Sequence, residues 1–286
     1  MSITLLSQAM LNGLSLAMVY VLIALGLTLI FSIFNIINFA HGEFYMLGAY
    51  AAFYALTLAG LGYFAGILVA FIFVGIAGVL AERLIFRRLR NETLNAFIVS
   101  LGLLWVMQAG AQLLFGVQEK TVQSAFTGIF RWAGIIISVE RFVVILTAMV
   151  LIALLYVFLE FTRLGRAIRA VAQDNEAAAL QGVNTEMVAM LVFALGCAMA
   201  GAAGAMLAPV FAIGPTMGEL PVLKGFIIII IGGMGNLPGA VLGGVLLGIL
   251  EGVGAVYMGS AAVNILGFLA VITVLLLRPQ GLANAS

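Results

Sequence analysis

The chain has 286 residues, of which 65% are hydrophobic and only 8% charged, with a mean hydropathy of +1.27 and a formal net charge of +1. A soluble domain typically carries about 25% charged residues, so a water-facing globule is excluded, and the near-neutral balance speaks against a nucleic-acid partner. A span of the ~30 Å hydrocarbon core takes roughly 20 apolar residues, so the length accommodates about eight or nine spans and no separate soluble domain.

In chain order, the first span runs from about Leu5 to Phe31. Met1 to Ala9 holds no Lys or Arg to act as a basic leader region, so this span is expected to be its own targeting signal. Spans two to six follow at Phe44–Leu58, Phe64–Ala81, Leu94–Phe115, Phe142–Leu159 and Met187–Ile213. The stretch Gly225–Leu277 is apolar but broken at Gly232 to Asn236 and again near Gly259-Ser260, and reads as three segments, the first of them short. The runs are long and show no period-two alternation, which disfavours a barrel. The fold class is therefore an all-α integral membrane protein, a polytopic bundle with broken or re-entrant segments, in one transmembrane domain over 1–286.

Lys and Arg in the connections set the orientation. Arg83, Arg87, Arg88 and Arg90 follow span three, and Arg163, Arg166 and Arg169 follow span five. With an even number of spans between them, both loops are expected in the cytoplasm, and Arg278 with them. Gly116–Arg141 then faces outward, Lys120, Arg131, Arg141 and Lys224 lie away from the cytoplasm, and the N-terminus is outside. Gly244, Gly248 and Gly252 recur every four residues, a flat helical face that lets a neighbouring backbone approach closely, within the subunit or against a partner.

An enzyme finds little support. The single histidine, His41, has no second histidine with which to build a zinc site, and neither a phosphate-binding glycine loop nor a serine elbow is present. Cys197 is alone in an apolar run and reads as a packing residue that cannot form an intrachain disulfide. Glu43 and Glu251 read as the only acidic groups in long apolar surroundings, and Glu219 as part of an external turn. Asn35, Asn38, His41 and Glu43 form the first polar cluster, with Gly42 inviting a break. Either a broken helix lines a translocation path here, or a helix end is capped at the membrane surface. Gly232, Gly233, Gly235 and Asn236 mark a comparable interruption in the second half. Paired interruptions of this kind point to a central path between two halves.

The connection 161–186 carries the most specific signal. Asp174 or Asn175 suits an N-cap, Glu176 the first helical turn and Gly182 the position after the last, defining a helix of about two turns outside the membrane. It is either a docking element or a plain interfacial helix. Glu176-Ala177-Ala178-Ala179-Leu180-Gln181-Gly182 resembles the E-A-A-x-x-x-G loop by which permeases of ABC importers contact their ATPases, without the isoleucine-leucine-proline tail common there. Together with Asn38-Phe39-Ala40-His41-Gly42-Glu43, Gly165-Arg166-x-x-Arg169-Ala170 and Gly232-Gly233-Met234-Gly235-Asn236, the whole chain resembles the LivH-type permease of high-affinity branched-chain amino acid importers.

The resemblance implies a non-catalytic subunit of the bacterial inner membrane, with a second permease of the LivM type, two cytoplasmic ATPases and an extracytoplasmic substrate-binding protein. ATP and Mg would be bound on the ATPases, and this chain would carry no cofactor or metal. It implies coupling through Arg166, Arg169, Asn175, Glu176, Ala177, Ala178 and Gly182. Relatives of this type also serve urea, short amides and aromatic acids. An ion-coupled secondary transporter or channel is the rival, for which His41 with Glu43 or Glu251 would have to supply a buried ionisable pair.

Overall fold

In a bilayer each backbone N–H and C=O needs a partner within the protein, and long apolar runs satisfy this as helices. The structure, a computed structural model, describes residues 3–90, 92–124, 126–132 and 135–277. Among them each apolar segment read from the sequence holds a helix: α1 (Ile3–Phe34), α2 (His41–Thr57), α3 (Tyr63–Leu84), α4 (Thr93–Phe115), α5 (Val139–Phe161), α8 (Thr185–Leu207), α9 (Glu219–Gly232), α10 (Leu237–Met258) and α11 (Ser260–Leu277). Two short helices, α6 (Arg163–Gln173) and α7 (Asn175–Leu180), fill the connection between α5 and α8. Among the described residues six helices are long and apolar enough to cross a membrane: α1, α3, α4, α5, α8 and α10. By contrast α2 and α9 have only 17 and 14 residues, and their buried faces place them inside the bundle rather than on its rim.

Alanine and glycine set the closest contacts. Along α10, a side-chain carbon on Gly248 would strike the backbone of Ala17, and one on Gly252 the backbone of Gly13, while Gly244 would meet the Val21 side chain at 2.5 Å. The glycine face thus lies against α1, within the subunit. A second tight layer joins α8 to α2 and α3, where Cys197 is fully buried against Gly78. In contrast α4 buries only one stripe, Ala96, Ser100, Gln108 and Ala111. Beside that stripe Leu103, Met107 and Phe115 are partly buried against the core, and the opposite face is exposed, including Trp105 and Leu113.

The two ends of the bundle are distinct. At one, Arg87 bridges Glu82 of α3 to Glu186 of α8 (3.2 and 3.5 Å), Arg90 also grips Glu82 (2.8 Å), and the Arg90 guanidinium lies over the Phe34 ring at the end of α1. The Glu82 hydrogen bond, and after it that carboxylate's charge, raise the Arg87 guanidinium above its ordinary value. Arg169 is held at this end too, by Glu160 (2.7 Å) and the Leu159 carbonyl. At the other end an antiparallel hairpin, β1 (Ile129–Trp132) and β2 (Ile135–Ser138), lies beside the start of α1, with the Ile136 N–H donating to Gln8 Oε1 at 2.8 Å. Arg141 reaches Asn12 there (2.6 Å), and Lys120 pairs through its backbone with Ile213. The two arginine-rich loops therefore share one end, as the charge pattern requires. Arg278 lies outside the described residues.

Three expectations are corrected. Lys224 is not in a loop facing away from the cytoplasm. It is 4% exposed inside the bundle, paired with Glu251 of α10 and donating to Asn264 of α11 at 2.6 Å, while Tyr20 of α1 donates to Glu251 at 2.9 Å. Glu43 and Glu251 are not the only acidic groups taken out of water, because Glu82 is fully buried between its arginines. Finally, the interruption after α1 does not follow Gly42 but precedes it: 35–40 is non-helical and α2 starts at His41.

Candidate functional site

The polar residues singled out around the two interruptions divide between an interior junction and a cleft at the arginine-rich end. Asn35 terminates α1 in the left-handed region, φ 51°, and its N–H closes on the Phe31 carbonyl at 2.9 Å. That sharp turn sends 35–40 back along α4, where the Phe39 N–H donates to Ser100 Oγ at 3.2 Å. Asn38 is buried and its Oδ1 accepts from the Ala40 N–H at 3.1 Å, so it stabilises the turn that launches α2. His41 is fully buried with its ring packed toward Gly26 of α1. Neither ring nitrogen makes a hydrogen bond of good geometry, although the Ile23 backbone lies nearby. His41 therefore pairs with neither Glu43 nor Glu251.

At the interior junction the starts of α2 and α9 meet. A side-chain carbon on Gly42 would strike the Gly218 carbonyl, and one on Gly218 the Gly42 carbonyl, so only a glycine pair permits the approach. Glu43, in the first turn of α2, and Glu219, the first residue of α9, both accept from the Gln108 amide of α4, at 3.1 and 3.0 Å. Glu219 is exposed directly after the turn at 215–218, as expected, and opens α9. Gln108 and Ser100 were not singled out from sequence, and the signal available was two polar residues two turns apart in an otherwise apolar run.

The second interruption closes the cleft. Gly233 and Gly235 hold φ of 96° and 82°, which makes the turn between α9 and α10, and Asn236 caps α10 by accepting from the Gly239 N–H at 2.9 Å. Gly232 lets α9 end against the Gly239 carbonyl of α10. Asn35, Gly235 and Asn236 line one cleft of about 560 Å³ together with Arg169 and Gln173 of α6. Two groups of residues chosen for different reasons, the path candidates and the loop arginine, thus share a wall. Asn38, His41 and Glu43 do not reach it.

The helical connection extends beyond the sequence expectation. α6 is an additional helix, capped by Thr162, whose Oγ1 accepts from the Gly165 N–H at 2.9 Å, and it buries Gly165, Ile168 and Val171 at three-residue spacing. Asp174 Oδ1 then accepts from the N–H groups of Glu176 and Ala177, both at 2.9 Å, and starts α7. α7 runs from Asn175 to Leu180 and gives way to Gly182 at φ 82°. Arg166, Asn175, Glu176 and Ala177 are exposed and Ala178 is buried. Leu180, not singled out from sequence, is 87% exposed at the tip.

The chain matches the family described as "Branched-chain amino acid transport system / permease component" over residues 9–277. It is 35% identical over 96% of its length to the high-affinity branched-chain amino acid transport system permease protein LivH of Escherichia coli (strain K12), covering 94% of that protein. It is 34% identical, with the same coverage of both chains, to the corresponding permease protein BraD of Pseudomonas aeruginosa. A more distant likeness, 28% identity over 55% of this chain and 47% of the relative, is to the fructose import permease protein FrcC of Rhizobium meliloti. No solved structure matches.

Proposed function

The chain belongs to the family of permease components of branched-chain amino acid transport systems, and from that premise we propose that it forms the translocation path of an ATP-driven importer for branched-chain or related small amino acids. It is a multi-pass protein of the inner membrane and itself non-catalytic. ATP and Mg are bound and used on two cytoplasmic ATPase subunits, a second permease of the LivM type completes the path, and an extracytoplasmic binding protein delivers the cargo.

The observation that carries this reading is α7: a capped helix on the surface of the arginine-rich end, seated by Ala178 and with Leu180 87% exposed. An apolar side chain held out on a rigid helix is an anchor for a protein pocket. Closure of the ATPases on α7 moves α6 and α8, and α6 forms one wall of the cleft at Asn35, Gly235 and Asn236. Inward and outward forms then differ in how they bind the ATPases and the loaded receptor. The test is Gly182→Arg, which places a long side chain on a left-handed residue beside α7. Membrane insertion is expected to persist, and co-purification of the ATPases to be lost. Retained co-purification removes α7 from the coupling role.

One observation favours the rival class: Lys224 and Glu251 are a buried ionisable pair of the kind an ion-coupled transporter keeps. The pair is closed on both sides by Tyr20 and Asn264, which suits a fixed element better than a group that loads and unloads. Uptake with ATP depleted and the ion gradient held separates the classes: the importer stops, and a secondary transporter continues.

A further inference from the structure

The cleft at the arginine-rich end does not stop there. α5 and α10 both pack on α1, and between them lies a groove of about 660 Å³ whose floor is Met18 and Leu25 of α1. Met149 and Tyr156 of α5 and Leu242 of α10 form its walls, and all three are exposed on the rim. Leu159, Leu237 and Pro238 line both this groove and the cleft of about 560 Å³, so the first runs into the second. Apart from Tyr156 the groove side chains are apolar. Past the shared residues the lining turns polar and basic, with Ser32, Asn35, Arg169, Gln173 and Asn236.

The groove has the depth of a single leaflet. Along α5 it runs from Met149 to Leu159, about 15 Å at ~1.5 Å per residue, which is half of a ~30 Å hydrocarbon core. A transmembrane helix of a protein partner needs a seat across both leaflets, whereas an acyl chain needs only one. Tyr156 stands one turn before Glu160, at the level where amphipathic rings mark the headgroup boundary.

Positive charge lies just beyond that boundary. Arg169 is held through Nη1 by the Glu160 carboxylate and the Leu159 carbonyl, and through Nη2 by the Glu160 carbonyl at 3.4 Å. A guanidinium has more donors than this grip uses, so Arg169 is oriented and still able to serve a further acceptor. Arg163 and Arg166 stand exposed at three-residue spacing on the same helix, so α6 carries more positive charge than Glu160 cancels. α10 also starts in the cleft. The Gly239 and Ala240 N–H groups there are bonded to Asn236, so this helix end adds partial positive charge and not a donor.

We propose that the groove and cleft together bind an anionic phospholipid of the cytoplasmic leaflet, an acyl chain lying between α5 and α10 and the phosphate meeting Arg169 and Gln173. Basic pockets between helices on the cytoplasmic side suit such headgroups, while a zwitterionic headgroup brings its own cation and loses the benefit. The bound lipid bridges α6 to the turn between α9 and α10, the two walls of the cleft. The site requires the arginine-rich end to be cytoplasmic and does not depend on the cargo.

The test uses the complete transporter in nanodiscs of phosphatidylcholine with a minority of phosphatidylglycerol of matched chains. Lipids retained after mild extraction are read by native mass spectrometry. Wild type is expected to retain phosphatidylglycerol enriched about fivefold or more, the factor that one basic side chain at an anionic leaflet supplies. Gln173→Glu sets a negative charge in the cleft and is expected to abolish the enrichment. Ala153→Trp fills the apolar groove and is expected to remove one bound lipid of either class. Both positions are exposed, so assembly and thermal midpoint are expected to match wild type. Equal retention of the two lipids by wild type overturns the proposal, as does undiminished phosphatidylglycerol in both variants. A second measurement needs no variant: phosphatidylglycerol with a photoreactive diazirine on its acyl chain is expected to label 149–159 and 237–242 of the wild-type chain. Label that spares both segments while marking other parts of the complex gives the groove to the partner permease and overturns the proposal.

Discussion

Lys224 shows what a single residue can conceal. Its charge is tolerated because three helices converge on it and its partner, through Glu251, Asn264 and the Tyr20 hydroxyl. Those partners lie 27, 40 and about 200 positions away in sequence, so the local string Val222-Leu223-Lys224-Gly225 reads as the edge of a turn. The same applies to Glu43 and Gln108, 65 positions apart. Burial of a polar side chain is legible when its apolar neighbours are sequential, as they are for Cys197, and illegible when its partner is remote. Breaking a buried pair by removing one member costs about 3–5 kcal/mol, whereas replacing both by apolar groups is often neutral. Lys224→Met is therefore expected to lower the unfolding midpoint of the detergent-solubilised chain sharply, and Lys224→Met combined with Glu251→Leu to restore most of it. A double variant as unstable as the single one would show that the charges themselves are needed.

At the scale of elements, long helices were legible because lipid imposes a simple length rule, and caps were legible because they are local. Asp174 starting α7 and Gly182 ending it follow from neighbouring residues alone. α6 was not, because its buried face of Gly165, Ile168 and Val171 sits in a short run rich in arginine that reads as a loop. Removing the α7 cap with Asp174→Ala is expected to cost the helix about 1 kcal/mol and to speed amide exchange over 175–180 without changing exchange in α8. Along α10 the glycine spacing announced a close contact but not its partner. With α1 as that partner, Gly248→Val drives two methyl groups into the Ala17 backbone. Overpacking of this kind costs about 1–3 kcal/mol where neighbours can yield, and a backbone yields least. The check is the thermal midpoint, which is expected to fall further for Gly248→Val than for Leu242→Val on the exposed face of the same helix.

For the molecule as a whole, the basic loops gave the correct pairing of ends because charge asymmetry depends on residue counts and not on packing. Cys197 is fully buried, so the wild-type chain provides a silent background for membrane-impermeant maleimides. Leu180→Cys is expected to label only from the cytoplasmic face, in inverted vesicles, and Ser124→Cys only in intact spheroplasts. Labelling of both from one side would reverse the orientation or change the number of crossings. The ion network at the arginine-rich end has a mechanical consequence. Its links run from Glu186 at the root of α8 through Arg87 and Glu82 to Arg90, and on to Phe34 beside the turn at Asn35. The inner links are shielded and short, while the outermost, Arg87 to Glu186, is water-exposed and stretched to 3.5 Å. Such a chain behaves as a tether with a fuse at one end: small displacements of α8 are passed on to the mouth of the cleft, and larger ones part the weak link and let the two move independently.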